Sequence, residues 1–170
     1  MTIQGKSVYS GVAIGRLAIY QKSENQVKRE KITDTAKEIK RFEDARETAK
    51  QQLAGLYEKA LKEVGEVNAA IFEVHQMMLE DDDYNESIEN IIDSQKVNAE
   101  YAVAVTADNF AEMFASMDDP YMQARAADVK DISNRIIANL TGNVSDGSAG
   151  DEKMIVCADD LAPSETISLD

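Results

Sequence analysis

Apolar residues recur in steps of three and four from Ile39 onward: Ile39, Phe42, Ala45, Ala49, Leu53, Leu56, Ala60 and Val64. That spacing puts them on one stripe of a 3.6-residue period and predicts a long amphipathic helix. Thr35 with Glu38 forms a capping box at its start, Thr33 is a competing cap, and Gly65 loosens its end. A second helix is read from Ala70. Here Ile71, Val74 and Met78 share one stripe while Phe72, His75 and Leu79 share another, an apolar arc wider than one packing seam needs. The block runs into Glu80, Asp81, Asp82 and Asp83, after which Ile88, Ile91 and Ile92 mark a short third helix. Asn98 caps a fourth, striped by Val103, Ala107, Phe110, Phe114 and Met117. Asp119 before Pro120 starts a fifth, with Met122, Ala126, Val129, Ile132, Ile136 and Leu140, stopped by Gly142. Stripes of this length with short connections fold as an antiparallel helical bundle.

The two ends have a different pattern. Thr2 to Tyr20 holds no acid and reads as strand, with Val12, Ile14, Leu17 and Ile19 among small residues and Gly11 and Gly15 as bend points. A polar linker, Gln21 to Lys31, follows. After a loop of Gly, Ser and Asp, Met154 to Ala158 is suited to a buried strand, and Ser164 is placed to cap another helix. The expected fold class is mainly α: a helical bundle, residues 21–142, inserted into an incomplete α/β domain made of residues 1–20 and 143–170. The terminal pieces are too short to complete such a domain, so the chain looks truncated, with ends expected to be frayed or paired with a second copy.

Charge sharpens this picture. The 170 residues carry 32 acids against 18 bases, a net charge of -14, which argues against nucleic acid and anionic membrane as partners. Between Glu63 and Asp119 stand 15 acids and one base, Lys96, whereas Gln21 to Lys62 is mildly basic, 11 bases against 8 acids. The acidity is therefore one contiguous region. It is either a solubilising surface or a field that speeds encounter with a basic partner. Exposed Met77 or Met78 beside the acidic run would make a docking face with an apolar centre. One cysteine, Cys157, excludes an internal disulfide and fits a reducing cytoplasm; no leader or bilayer-length apolar run is present.

No catalytic constellation emerges. Gly5, Gly11 and Gly15 do not open a helix as a phosphate loop would, and one histidine and one cysteine exclude a Cys/His metal site. Successive acids at 80–83 point in different directions and lack the glycine of a calcium loop. His75 is the sole candidate phosphoryl acceptor or general base, yet Glu73 and Glu80 flank it and nothing near it cradles an anion. Burial on a helix face or an interface role fits it better. Arg125 and Asp128, three apart, pair on a helix surface, or Arg125 joins a docking face near Tyr121.

Four stretches resemble Enzyme I of the bacterial phosphoenolpyruvate-dependent sugar phosphotransferase system: YSGVAIG (Tyr9 to Gly15, lacking the family's usual proline), AIFEVHQMMLED (Ala70 to Asp81), RAADVKDI (Arg125 to Ile132) and DLAPSET (Asp160 to Thr166). The resemblance implies a cytoplasmic transferase whose inserted helical subdomain docks the phosphocarrier protein HPr. It implies phosphoryl transfer from phosphoenolpyruvate with Mg²⁺, kinase-like chemistry that drives sugar transport. The family's acceptor histidine lies in a Gly-Gly-x-x-Ser-His motif, which this sequence lacks, so catalytic residues, metal ligands and cofactors are expected to be none here and the chain inactive alone. The family's dimerisation region is likewise not represented. Glu66, Ala70, His75, Met77, Asp81, Tyr121 and Arg125 match family docking positions; Met78, Asp83 and Phe114 are similar in type, and Lys130 keeps an arginine's charge. Val67 stands where an acid is common. The alternatives are an acidic helical adaptor for another basic partner, a nitrogen-linked paralogue, or the Enzyme I-like part of a dihydroxyacetone kinase subunit.

Overall fold

The computed structural model describes residues 11–20, 27–143, 154–158 and 161–168. The longest element is helix α1, Thr35–Glu63, whose stripe of Phe42, Ala45, Ala49, Leu53 and Ala60 is buried. Val64, the last residue of the expected stripe, instead ends the helix as its C-cap and is exposed. Gly65 follows with φ of 84° and sits at the N-cap of α2, Glu66–Leu79; glycine reaches that backbone region without a Cβ penalty. Helices α3 (Asp82–Gln95), α4 (Ala99–Ala115) and α5 (Pro120–Thr141) complete the bundle. α4 packs most extensively on α5, and α1 lies against both α2 and α5. Phe42, Leu53, Phe72, Leu79, Ile88, Ile92, Val103, Ile132 and Ile136 form one continuous core.

Several helix ends differ from the expected ones. Asp34, not Thr33 or Thr35, caps α1, accepting from the amide of Lys37 at 3.0 Å. Thr35 donates instead to Asp93 at 2.9 Å, and Glu38 accepts from the amide of Ala99 at 2.7 Å. The supposed capping-box glutamate thus satisfies the start of a different helix, α4. Asn98 occupies the cap position of α4, but its side chain faces away. Its amide donates to the carbonyl of Lys28 at 3.2 Å, and its carbonyl accepts from the amide of Glu30 at 2.9 Å. Residues 27–31, expected as plain linker, are therefore fastened to the bundle. Lys31 forms an antiparallel bridge with Val97, and Val27 packs on the core.

At the ends, β1 (Arg16–Ile19) pairs in parallel with β2 (Met154–Cys157), with Arg16 opposite Met154 and Ile19 opposite Cys157. These two described strand pieces join each other within one chain. The expected first strand is shorter than read: Val12 and Ile14 are exposed and irregular, and its portion before Gly11 lies outside the described residues, as do 21–26 and 144–153. β2 is not buried either. Met154, Ile155 and Cys157 are exposed, because two strands alone have no second layer to cover them. Helix α6, Pro163–Ser168, returns to the bundle, where Lys59 donates to the carbonyl of Ile167 at 2.6 Å. Ser164 does not stand before this helix as a cap; it lies in the first turn. No helix among the described residues is long and apolar enough to cross a membrane.

Candidate functional site

The face read from sequence is built first by α2. Residues 66, 70 and 77 recur at spacings that return to one side of a helix, so Glu66, Ala70 and Met77 share one stripe of α2, and Asp81 stands just past the end of that helix. Glu66 is exposed at the start of α2, and Ala70 is half-buried. Met77 is 69% exposed, an apolar side chain in open water, with acids before and after it. Met78 turns inward and packs against the core, half-buried. Val67 is 90% exposed, extending the apolar strip where an acid would have sat.

The acidic run is a helix junction and not a free cluster. Glu80 ends α2 and pairs with Lys50 at 2.6 Å, a hydrogen bond that holds its carboxyl below the ordinary range. Asp81 caps α3, accepting from the amide of Tyr84 at 2.9 Å. Asp82 and Asp83 occupy the exposed first turn of α3, where carboxylates complement the helix dipole. Among the described residues no group of three potential ligands is gathered for a metal. The Mg²⁺ implied by the resemblance therefore has no assembled donor set there.

Two further matched positions, Tyr121 and Arg125, lie on α5. Asp119 caps this helix by accepting from the amide of Tyr121 at 2.8 Å, and Pro120 sits where no amide is needed. Tyr121 is 65% exposed. Arg125, one turn on, donates to the Tyr121 hydroxyl and places its guanidinium 4.7 Å above the ring. Its other terminal nitrogen donates to Asp128 Oδ2 at 3.2 Å. The opposite oxygen of Asp128 lies 3.2 Å from Nε2 of His75. Because a carboxylate only accepts, that contact places a proton on Nε2.

His75 is fully buried, at 0% exposure. It stands among the core residues Phe72 and Leu79, as its stripe indicated, with the Phe72 ring edge-on at 6.3 Å. The ring offers no atom to solvent in this conformation, so it does not itself form part of the open face. Lys130 is likewise separate. Nine residues from Tyr121 is about two and a half turns, which turns it to the other side of α5. There it pairs with Asp108 of α4 at 2.6 Å. Phe114, near the end of α4, is half-buried and packs on the core. The structure thus joins Tyr121, Arg125 and His75 in one network through Asp128, a residue that sequence reading treated only as a local partner of Arg125.

A helical bundle closed by a parallel strand pair defines a mainly helical domain. The chain belongs to the family described as PEP-utilising enzyme, N-terminal, which it matches over residues 4–125. It is 36% identical over 169 residues to the phosphoenolpyruvate-protein phosphotransferase of Mycoplasma capricolum, covering 99% of this chain and 30% of that protein. The chain spans about 30% of the length of the curated relatives it matches. A solution structure of Enzyme I superposes with a TM-score of 0.77 at 37% identity, covering 92% of this chain and 64% of the other. The N-terminal domain of the nitrogen Enzyme I gives a TM-score of 0.71 at 27% identity, covering 94% and 66%. The mainly helical architecture is that of the Enzyme I N-terminal domain.

Proposed function

We propose that this chain is the carrier-docking part of a phosphoenolpyruvate-protein phosphotransferase, receiving the phosphocarrier HPr for phosphoryl transfer in sugar uptake. The observation that carries the proposal is Met77. It is 69% exposed on the stripe of Glu66, with the exposed Asp81 just past the end of the same helix, acids beside an apolar side chain as a basic partner with an apolar centre would meet. Tyr121 and Arg125 supply an aromatic and a cation, residue types enriched where docking energy concentrates. Asp83, Met78, Phe114 and Lys130 enter as periphery or support, and the bundle 21–142 acts as an insertion between 1–20 and 143–170.

The chain passes no phosphate itself. Its histidine is buried between carboxylates, which would repel a phosphoryl donor, so His75 is neither acceptor nor base. Mg²⁺ and homodimerisation belong to the proposed full-length enzyme. The cytoplasm is the proposed location, since a phosphoenolpyruvate donor and a reduced Cys157 both fit it. The higher identity to Enzyme I than to its nitrogen counterpart favours the sugar system.

Titration calorimetry of HPr into this chain at low and moderate salt tests the reading. Saturable one-to-one binding that weakens with salt is expected. A folded sample that ignores HPr overturns it and leaves an acidic adaptor for another basic protein.

A further inference from the structure

Along α5, Tyr121, Arg125, Asp128, Asp131, Arg135 and Asn139 recur in steps of three and four and share one stripe. A polar stripe on a helix ordinarily faces water. This one is open at Tyr121, is half-buried from Arg125 onward and is met halfway by a ring with no exposed surface. Nε2 of His75 lies 3.2 Å from Asp128 Oδ1, and its Nδ1 lies 3.6 Å from Asp131 Oδ2. Only the first of these is a hydrogen bond, so the ring holds Asp128 and not Asp131, and each carboxylate has another partner. Asp128 Oδ2 accepts from Arg125, which in turn holds the phenol of Tyr121. Asp131 Oδ1 accepts from Ser164 at 2.9 Å, in the first turn of α6. Arg135 follows on the same stripe; burial holds its guanidinium below the ordinary range, with Asp131 and Glu165 opposing that effect.

We infer that His75 is a positioning residue: it fixes Asp128, and through Asp128 it sets the orientation of Arg125 and Tyr121 on the open face. The role rests on that face being the docking surface, and it differs from direct contact, since the ring is sealed from any partner. The physical reason is the constraint on Asp128. A carboxylate that is only 16% exposed and gripped on both oxygens cannot rotate. Its grip on Arg125 then selects one orientation of a long, rotamer-rich side chain before any partner arrives. Preorganising a side chain in this way removes part of the ordering cost of binding. Without the imidazole, Asp128 Oδ1 loses its donor and the carboxylate turns toward water, taking the Arg125 anchor with it.

The test uses the whole chain with HPr and three substitutions: His75→Gln, which keeps an N–H donor; His75→Leu, which does not; and Asp128→Asn. Titration calorimetry is expected to show roughly tenfold weaker binding for His75→Leu. His75→Gln is expected to recover most of it. In an Arg125→Ala background, His75→Leu is expected to add no further loss, because the two act through one link. Losses that multiply in the double variant, or a glutamine that rescues nothing, overturn the inference. Should His75→Leu fail to melt cooperatively, Asp128→Asn carries the same comparison with Arg125→Ala. Absence of wild-type binding refutes the docking reading and does not decide the positioning. The Arg125 guanidinium resonances of the free chain then decide it. Resolved Nη signals in wild type and His75→Gln that average in His75→Leu are expected; identical signals in all three overturn it.

Discussion

Asp81 accepts from the backbone amide of Tyr84 at 2.9 Å while remaining exposed, four residues after Met77. One carboxylate therefore starts helix α3 and contributes negative charge to the proposed face. Asp81→Lys removes a cap and sets a cation at a helix N-terminus, so it is expected to destabilise the fold by about 1–2 kcal/mol as well as slow association. Asp81→Asn keeps a capping oxygen and removes only the charge. Asp83→Lys leaves the cap untouched. Thermal melts beside stopped-flow association at two salt concentrations separate the effects. Equal melting temperatures for wild type and Asp81→Lys would contradict the dual role.

The two adjacent methionines are expected to behave differently. Met77→Ala removes an exposed anchor and is expected to weaken HPr binding by about 1–3 kcal/mol with an unchanged melt. Met78→Ala empties space against the core and is expected to lower stability by about 1–2 kcal/mol. Denaturant midpoints measured alongside binding isotherms decide between them, and matched profiles would refute the assignment of outward and inward faces.

Tyr84 gives the fold an alkaline limit. Its phenol is buried and lies 2.7 Å from Ser133 Oγ. Since Ser133 donates to the carbonyl of Val129, Tyr84 is the donor in that pair. Burial raises the phenol above the ordinary value of 10.0, opposed in part by the Ser133 contact. A group raised in the folded state contributes stability that is complete below its unfolded value and is lost above it. Melting temperature is thus expected to fall as pH rises past about 10. Tyr84→Phe should flatten that decline while lowering neutral stability by about 1 kcal/mol. A decline of the same steepness in the variant would assign alkaline loss to other groups.

Glu38 ties the start of α4 to α1 through the Ala99 amide and holds Arg41, which also binds Glu100 and the carbonyl of Leu140 at 2.8 Å. Glu38→Ala is expected to lower stability by about 1–2 kcal/mol, whereas Thr33→Ala, outside any cap, changes little. Hydrogen exchange at Ala99 locates the effect: faster exchange there in Glu38→Ala is expected, and unaltered exchange would sink it.

The helices were legible because burial repeats along the chain. Phe72, His75 and Leu79, three members of one predicted stripe, are all buried, as are Val129, Ile132 and Ile136. Met77 and Tyr121, the first singled out by its place beside the acidic run and the second by the family resemblance, are both exposed. What escaped is what depends on distant partners. Glu38 sits where a capping box predicts, but its receiver is 61 positions away. Asn98 has a cap's identity, but a segment 70 residues earlier claims its side chain. The Asp128 contact to His75 spans 53 residues and two helices, and no local spacing encodes it. The exposed β2 misled for another reason: an apolar run predicts strand whether or not a covering layer is at hand.

The parallel register of β1 against β2 also orders events in time. Parallel strands require a crossover, and here the crossover is the entire bundle. Until α1 to α5 have assembled, closing so long a loop opposes the pairing, and two strands alone offer little in return. The bundle is therefore expected to assemble first and the sheet to close on it afterwards, as a clasp. Damage to the helices is expected to release the clasp, and damage to the clasp to leave the helices standing.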